Sequence, residues 1–124
     1  MMGMKDILVI EDDRSIARLI EIVLTGKGFN IHICLDADGA VDIFRRVHPD
    51  LVILDIHMPR RSGMSILKRL RQEEDLAEVP VIVFSVLARR QSIDQLMKMG
   101  ASDFVPKSAG ISALVEKVVS TLGL

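Results

Sequence analysis

The stretch Leu51-Val52-Ile53-Leu54-Asp55-Ile56-His57-Met58-Pro59 decides how the chain is read. Its four leading apolar residues do not alternate with polar ones, which suits a strand covered on both faces in the middle of a parallel sheet. Pro59 cannot donate to a strand ladder and closes the extended segment. Asp55 is therefore delivered to the C-terminal end of a buried strand, where open α/β sheets place their ligands. An Asp before a turn is also a common turn cap. The rest of the chain has to decide between these roles.

Toward the N-terminus, Ile7 to Ile10 form a short β-branched run that stops at Glu11-Asp12-Asp13. Ile16, Leu19, Ile20, Val23 and Leu24 then recur at helical spacing, so the pattern is strand, acidic loop, helix. Gly26 and Gly28 end this helix, and Phe29, Ile31 and Ile33 alternate with Asn30, His32 and Cys34 in a second predicted strand. Asp36 or Asp38 can cap the next helix, whose stripe of Ala40, Ile43, Phe44 and Val47 stops before Pro49.

Toward the C-terminus, Arg60-Arg61-Ser62-Gly63 make a loop with Ser62 as a helix cap, and Met64, Leu67 and Leu70 mark a third helix. The acidic run Glu73-Glu74-Asp75 opposes the helix dipole, so that helix should end early. Pro80 opens a fourth strand, Val81 to Phe84, closing on Ser85. Ala88, Ile93, Leu96 and Met97 predict a helix up to Gly100, and Asp103-Phe104-Val105-Pro106-Lys107 a final short strand, with Pro106 favouring an edge. Ile111, Leu114, Val115, Val118, Val119 and Leu122 complete an amphipathic helix. Five strands alternating with five helices predict a doubly wound α/β domain over 1–124, a parallel sheet with helices on both faces, for which a flavodoxin-like strand order 2-1-3-4-5 is the expectation adopted.

Composition agrees with one soluble domain: 124 residues, 49% hydrophobic and 27% charged. A formal charge of −1 gives no basic field for nucleic acid or anionic lipid, so the expected partners are proteins. The start lacks the apolar core of a signal peptide and no run is long enough to span a membrane, which predicts a cytoplasmic location. The lone Cys34 and the scattered His32, His48 and His57 exclude an internal disulfide and zinc-type ligand spacing.

If the first and third strands are neighbours, Glu11, Asp12 and Asp55 meet at one rim. Three carboxylates in contact repel and raise one another's pKa unless a cation neutralises them, and hard oxygen ligands select Mg²⁺ or Mn²⁺. Acids are also favoured at any helix N-terminus, so the acidic triplet by itself is ambiguous. Ser85 and Lys107 end the fourth and fifth strands and bring a hydroxyl and an ammonium to the same rim. Together these groups suit formation of an aspartyl phosphate.

On these residues the whole chain resembles a receiver domain of two-component response regulators, with nothing left over for an output domain. The resemblance implies that Asp55 is the phosphoacceptor and that Glu11 and Asp12 are the metal-binding acidic pair. It also implies that His57 offers its backbone carbonyl to the metal and that Met58, Pro59 and Gly63 shape the loop behind the acceptor. Ser85 resembles the switch hydroxyl, Phe104 the switch aromatic and Lys107 the lysine of the pattern. The implied partners are a sensor histidine kinase or phosphotransfer protein and a downstream protein effector, with the chain a monomer or weak dimer. It would be no enzyme in the ordinary sense, beyond slow self-dephosphorylation. Phosphorylation would draw Ser85 and Lys107 inward and let Phe104 pack into the space vacated, altering the surface of the fourth helix, fifth strand and fifth helix.

Two residues depart from the family pattern. Val86 stands where Ala or Gly is usual and narrows the approach to the site, and Ser108 stands where Pro is usual. A trans Lys107–Ser108 bond would re-aim the lysine. Alternatives are weaker. A pseudo-receiver would not need Asp55, Glu11, Asp12, Ser85 and Lys107 together. A phosphatase of the haloacid dehalogenase type needs an acid where His57 stands, and Gly26-Lys27-Gly28 lacks the third glycine of a dinucleotide loop.

Overall fold

The computed structural model describes residues 4–57, 63–86 and 90–124, with the backbone alone at Asp75, Arg90 and Gln91. The strands are β1 (Asp6–Ile10), β2 (Asn30–Cys34), β3 (Leu51–Leu54), β4 (Val81–Ser85) and β5 (Asp103–Pro106). They form one parallel sheet in the order β2-β1-β3-β4-β5, as expected. The helices are α1 (Arg14–Gly26), α2 (Ala40–Val47), α3 (Gly63–Arg71), α4 (Arg90–Lys98) and α5 (Ile111–Thr121). Met58, Pro59, the predicted cap Ser62 and Ala88 lie outside the described residues.

Strand residues alternate between two apolar layers. Ile7, Val9, Ile53 and Phe84 pack with Ile20 and Leu24 of α1 and with Leu114 and Val118 of α5. Leu8, Ile10, Leu54 and Val83 face the other way, onto Phe44 of α2, Leu67 and Leu70 of α3, and Leu96 of α4. All four residues of β3 are therefore buried, which is why that strand shows no alternation in sequence.

Some local expectations shift. On α1 the buried stripe is Ala17, Ile20 and Leu24, and Leu19, expected in the core, is 48% exposed. Met97 of α4 is likewise 41% exposed, while its neighbour Leu96 is buried. Because β2 is an edge strand, Ile31 and Ile33 are only half-buried, and Cys34, expected on the polar face, is buried instead. Asp36 caps a short 3-10 turn by accepting from Asp38 N at 3.0 Å, and α2 begins after Gly39 without a side-chain cap. The third helix does stop at Arg71, ahead of the acidic run, and β5 is an edge.

At the N-terminal end of the sheet the polar groups are tied down. Arg71 donates from Nε and Nη2 to Gly100 O at 2.9 and 2.7 Å, and from Nη1 to Ala77 O and Val79 O at 2.9 and 2.6 Å. Gly100 has φ +110°, and a Cβ there would stand 2.9 Å from Arg71 Nε, so both backbone shape and space call for glycine. Asp50 Oδ2 accepts from Asp6 N at 2.8 Å, and Asp6 Oδ1 accepts from Asn30 Nδ2 at 2.6 Å with His32 Nε2 3.0 Å away.

Candidate functional site

The strand order reverses between β1 and β3, which opens a crevice at their C-terminal ends. Ile10 pairs with Leu54. One residue further on, Asp55 N donates to Ile10 O and Glu11 N to Cys34 O, each at 3.0 Å. The ladder thus fixes the backbone of both acids before their side chains make any contact. Glu11, Asp55 and Ser85 are the buried polar residues among those described.

Three donors converge on Asp55. Oδ1 accepts from His57 N at 2.9 Å and from Ser85 Oγ at 3.0 Å, while Oδ2 accepts from Lys107 Nζ at 3.0 Å. The bond to the amide two residues on is the turn-capping contact expected of an Asp before a turn. Asp55 therefore has both roles: it caps the turn and receives a hydroxyl and an ammonium from two other strand ends. Burial alone would raise its pKa, but the His57 N–H, the Lys107 ammonium and Glu11 outweigh it and hold the carboxyl below its usual value.

Lys107 Nζ also lies 2.7 Å from Glu11 Oε1. Burial opposes the charge on Lys107, yet the two carboxylates prevail and raise its pKa. Glu11 is on the other side of this balance. Burial pushes it up to about 7, aided by the Asp55 charge and resisted by Lys107 and the Asp13 N–H. One ammonium is too little for two buried carboxylates, so Asp55 keeps its charge and Glu11 is raised.

Oxygens of Glu11, Asp12 and Asp55 lie within 4.8 Å of one another, with Asp12 the most accessible of the three. Such a set, short of positive charge and made of hard oxygen donors, fits a Mg²⁺ or Mn²⁺ ion. The acidic triplet divides its work. Asp13 is the helix cap, accepting from Ser15 N at 2.9 Å and Ile16 N at 3.2 Å, and its own N–H donates to Glu11 Oε2 at 3.2 Å. Glu11 and Asp12 make none of the helix-capping bonds and are left for the crevice.

One contribution was not foreseen from sequence, and another, that of Gly63, gains its physical basis. His57, expected to act through its carbonyl, donates its N–H to Asp55, a bond that the Asp-x-His spacing could have signalled as a side-chain-capped turn. Gly63 donates to Ile56 O at 3.1 Å, and a Cβ on it would fall 2.6 Å from Asp55 O. Its role is close backbone approach behind Asp55. Phe104 is half-buried against the α2–α4 layer, and Val86 is 66% exposed. The Lys107–Ser108 bond is trans, since the described residues contain no cis peptide. With this trans bond Lys107 reaches both carboxylates.

A family model described as the response regulator receiver domain matches residues 7–119. Among curated proteins, the chain is 34% identical over 121 residues to a probable transcriptional regulator, ycf27, of Porphyridium aerugineum, covering 98% of this chain and 49% of that protein. It is also 34% identical over 114 residues to the transcriptional regulatory protein DltR of Streptococcus agalactiae, covering 90% of this chain and 49% of that one. The chain spans about half the length of the curated relatives it matches. Among solved structures, the BeF3-activated N-terminal receiver domain of Klebsiella pneumoniae RstA is similar with a TM-score of 0.87 and 27% identity, over 94% of this chain and 97% of that. The Francisella response regulator 1452 receiver domain matches with a TM-score of 0.86 and 28% identity, over 95% of each chain.

Proposed function

The chain belongs to the response regulator receiver family of two-component signalling, and on that premise we propose that Asp55 is its phosphoacceptor. A phosphoryl group would pass from the phosphohistidine of a sensor kinase or phosphotransfer protein to an Asp55 carboxylate oxygen, the donor's P–N bond breaking as the O–P bond forms. Water would later cleave the acyl phosphate. The observation that supports this reading is the ionised, buried Asp55 carboxylate with Ser85 Oγ and Lys107 Nζ each 3.0 Å away.

In that chemistry the chain's own groups have separate tasks. The His57 N–H orients the carboxylate, and Lys107 keeps it ionised and is placed to accept charge on the phosphoryl oxygens. Ser85 offers a donor to one of those oxygens. Glu11, Asp12, Asp55 and the His57 carbonyl would hold a Mg²⁺ or Mn²⁺ ion, which when bound neutralises charge shared between the carboxylates and the transferring group. The downstream effector would be a protein reading the face formed by α4, β5 and α5, where Lys117 Nζ pairs with Asp103 Oδ2 at 2.9 Å. The proposal, including contacts with proteins and not nucleic acid, covers residues 1–124 as a receiver. The transcriptional roles named for its relatives belong to proteins about twice as long.

Intact-mass measurement after incubation with acetyl phosphate tests the assignment. One phosphate adduct should form with Mg²⁺ or Mn²⁺, and none in chelator or in Asp55→Asn. An adduct that survives Asp55→Asn moves the acceptor elsewhere.

A further inference from the structure

Asp13 is exposed and stands outside the oxygen cluster of Glu11, Asp12 and Asp55. Its peptide is nevertheless fixed by the helix that follows. The carboxylate accepts from Ser15 N at 2.9 Å and Ile16 N at 3.2 Å, and the carbonyl accepts from Ala17 N at 2.9 Å. With φ −78° and ψ 111° the residue has the extended backbone of a helix cap. The first turn of α1 therefore sets the direction of the Asp13 N–H, and α1 is itself held on the sheet through Ile20 and Leu24. That N–H donates to Glu11 Oε2 at 3.2 Å. Both Glu11 oxygens are thus oriented, Oε2 by the start of α1 and Oε1 by Lys107 Nζ at 2.7 Å. Asp12 lies between two anchored peptides, since Glu11 N donates to Cys34 O at 3.0 Å on its other side.

Resting on the reading of Glu11, Asp12 and Asp55 as an ion site, we propose that Asp13 is a positioning residue for that site. By capping α1 it aims its own N–H at Glu11 and orients the acidic pair for a divalent ion, without touching the ion itself. A carboxylate free to rotate has to be ordered when the ion binds, and that entropy cost lowers affinity. Hydrogen-bonded partners of metal-ligating carboxylates act in this way. An acid next to the pair could instead act by plain attraction for a cation. The two roles differ in what they require of the side chain: attraction needs the negative charge, whereas the cap needs only an acceptor oxygen, which a neutral amide also supplies.

The chain has no Trp or Tyr, so Mg²⁺ binding is read from backbone amide shifts of the ¹⁵N-labelled whole chain, titrated with Mg²⁺ at constant ionic strength. Asp13→Asn keeps an acceptor oxygen and removes the charge. Asp13→Ala removes both, and Asp13→Gly removes both while remaining an acceptable helix start. The dissociation constant of Asp13→Asn should match wild type. Those of Asp13→Ala and Asp13→Gly should rise about tenfold, the scale usual for removing a group that orients a metal ligand. Metal-free urea midpoints supply the second readout. A cap that only supports α1 would lower the midpoint of Asp13→Ala and leave the dissociation constants of Asp13→Ala and Asp13→Gly at the wild-type value, which overturns the proposal. Weakening in Asp13→Asn as large as in Asp13→Ala assigns the effect to charge and overturns it too. A wild type whose amides do not respond to Mg²⁺ overturns the ion site and the proposal with it. If Mg²⁺ binds while acetyl phosphate leaves Asp55 unlabelled, the phosphoacceptor reading fails and the dissociation constants still decide Asp13.

Discussion

The two ends of the same sheet are built on opposite electrostatic terms. At the N-terminal end, Arg71 gives its guanidinium to three backbone carbonyls, and Asp6 Oδ1 accepts from Asn30 Nδ2 with His32 Nε2 3.0 Å away. His32 and Asn30 together hold the Asp6 carboxyl below its ordinary pKa, against the smaller effect of burial. At the C-terminal end, Glu11, Asp12 and Asp55 crowd together, with Lys107 bridging Glu11 and Asp55. One rim is satisfied and stabilises the fold. The other, among the described residues, keeps a deficit of positive charge, the kind of local instability that a site retains when binding and chemistry depend on it.

Removing Arg71 should have the largest effect on stability and none on chemistry. Arg71→Ala leaves the Gly100, Ala77 and Val79 carbonyls without their charged donor, for an expected loss on the order of 3 kcal/mol in urea denaturation. Acetyl phosphate should still label the folded variant at the wild-type rate. Slower labelling under conditions where the variant is folded would mean that the two rims are not independent.

The carboxylate rim should respond in the reverse sense. A divalent ion at a hundredfold excess over its dissociation constant should stabilise the wild type by about 2.7 kcal/mol, and Asp12→Ala should lose most of that gain. An equal rise of the thermal midpoint with Mg²⁺ in both proteins would remove Asp12 from the ion site.

pH sharpens the same contrast in chelator. Glu11 is raised from 4.5 to about 7 in the folded protein, so the folded state holds its proton more tightly than the unfolded chain. Its contribution is fully present below pH 4.5 and is lost as pH rises through about 7. The lowered Asp55 works the other way, its contribution lost only as pH falls below the ordinary carboxyl range. Metal-free stability should therefore decline between pH 5 and pH 8 as read from urea midpoints, and saturating Mg²⁺ should flatten the decline. A flat metal-free profile would show that Lys107 alone compensates Glu11.

The smallest effect is expected at Val86. Its side chain is 66% exposed, so it does not fill the site. Val86→Ala should raise phosphorylation and decay rates together, by only a few-fold. Unchanged rates would mean that the side chain points away from the incoming donor.

Much of this arrangement was legible from local pattern. The unbroken apolar run of β3, the helical stripes and the punctuation at Pro49, Pro80 and Gly100 depend on neighbours a few residues apart, and they gave the five βα alternations; the strand order came from the flavodoxin-like arrangement adopted for such alternations. The misplacements have a shared cause: Leu19 and Met97 satisfy a helical period, yet which neighbouring stripe turns inward depends on where the sheet lies beneath the helix. Cys34 was misjudged because both faces of β2 are covered: Ile31 and Ile33 pack on one layer and Cys34 on the other, with Ala37 and Ala40.

Residue type and position at strand ends were sufficient, in the sequence alone, to nominate Asp55, Glu11, Asp12, Ser85 and Lys107. How they touch was settled by tertiary structure. Ser85 reaches Asp55 across 30 residues of chain and Lys107 across 52, and no local spacing states that the serine faces inward or that the lysine divides itself between two carboxylates. Nor does a glycine in a loop reveal that a Cβ would meet the Asp55 carbonyl. Periodicity is a property of consecutive residues, whereas hydrogen-bond direction, shared charge and close approach exist only once separate strands have been brought side by side.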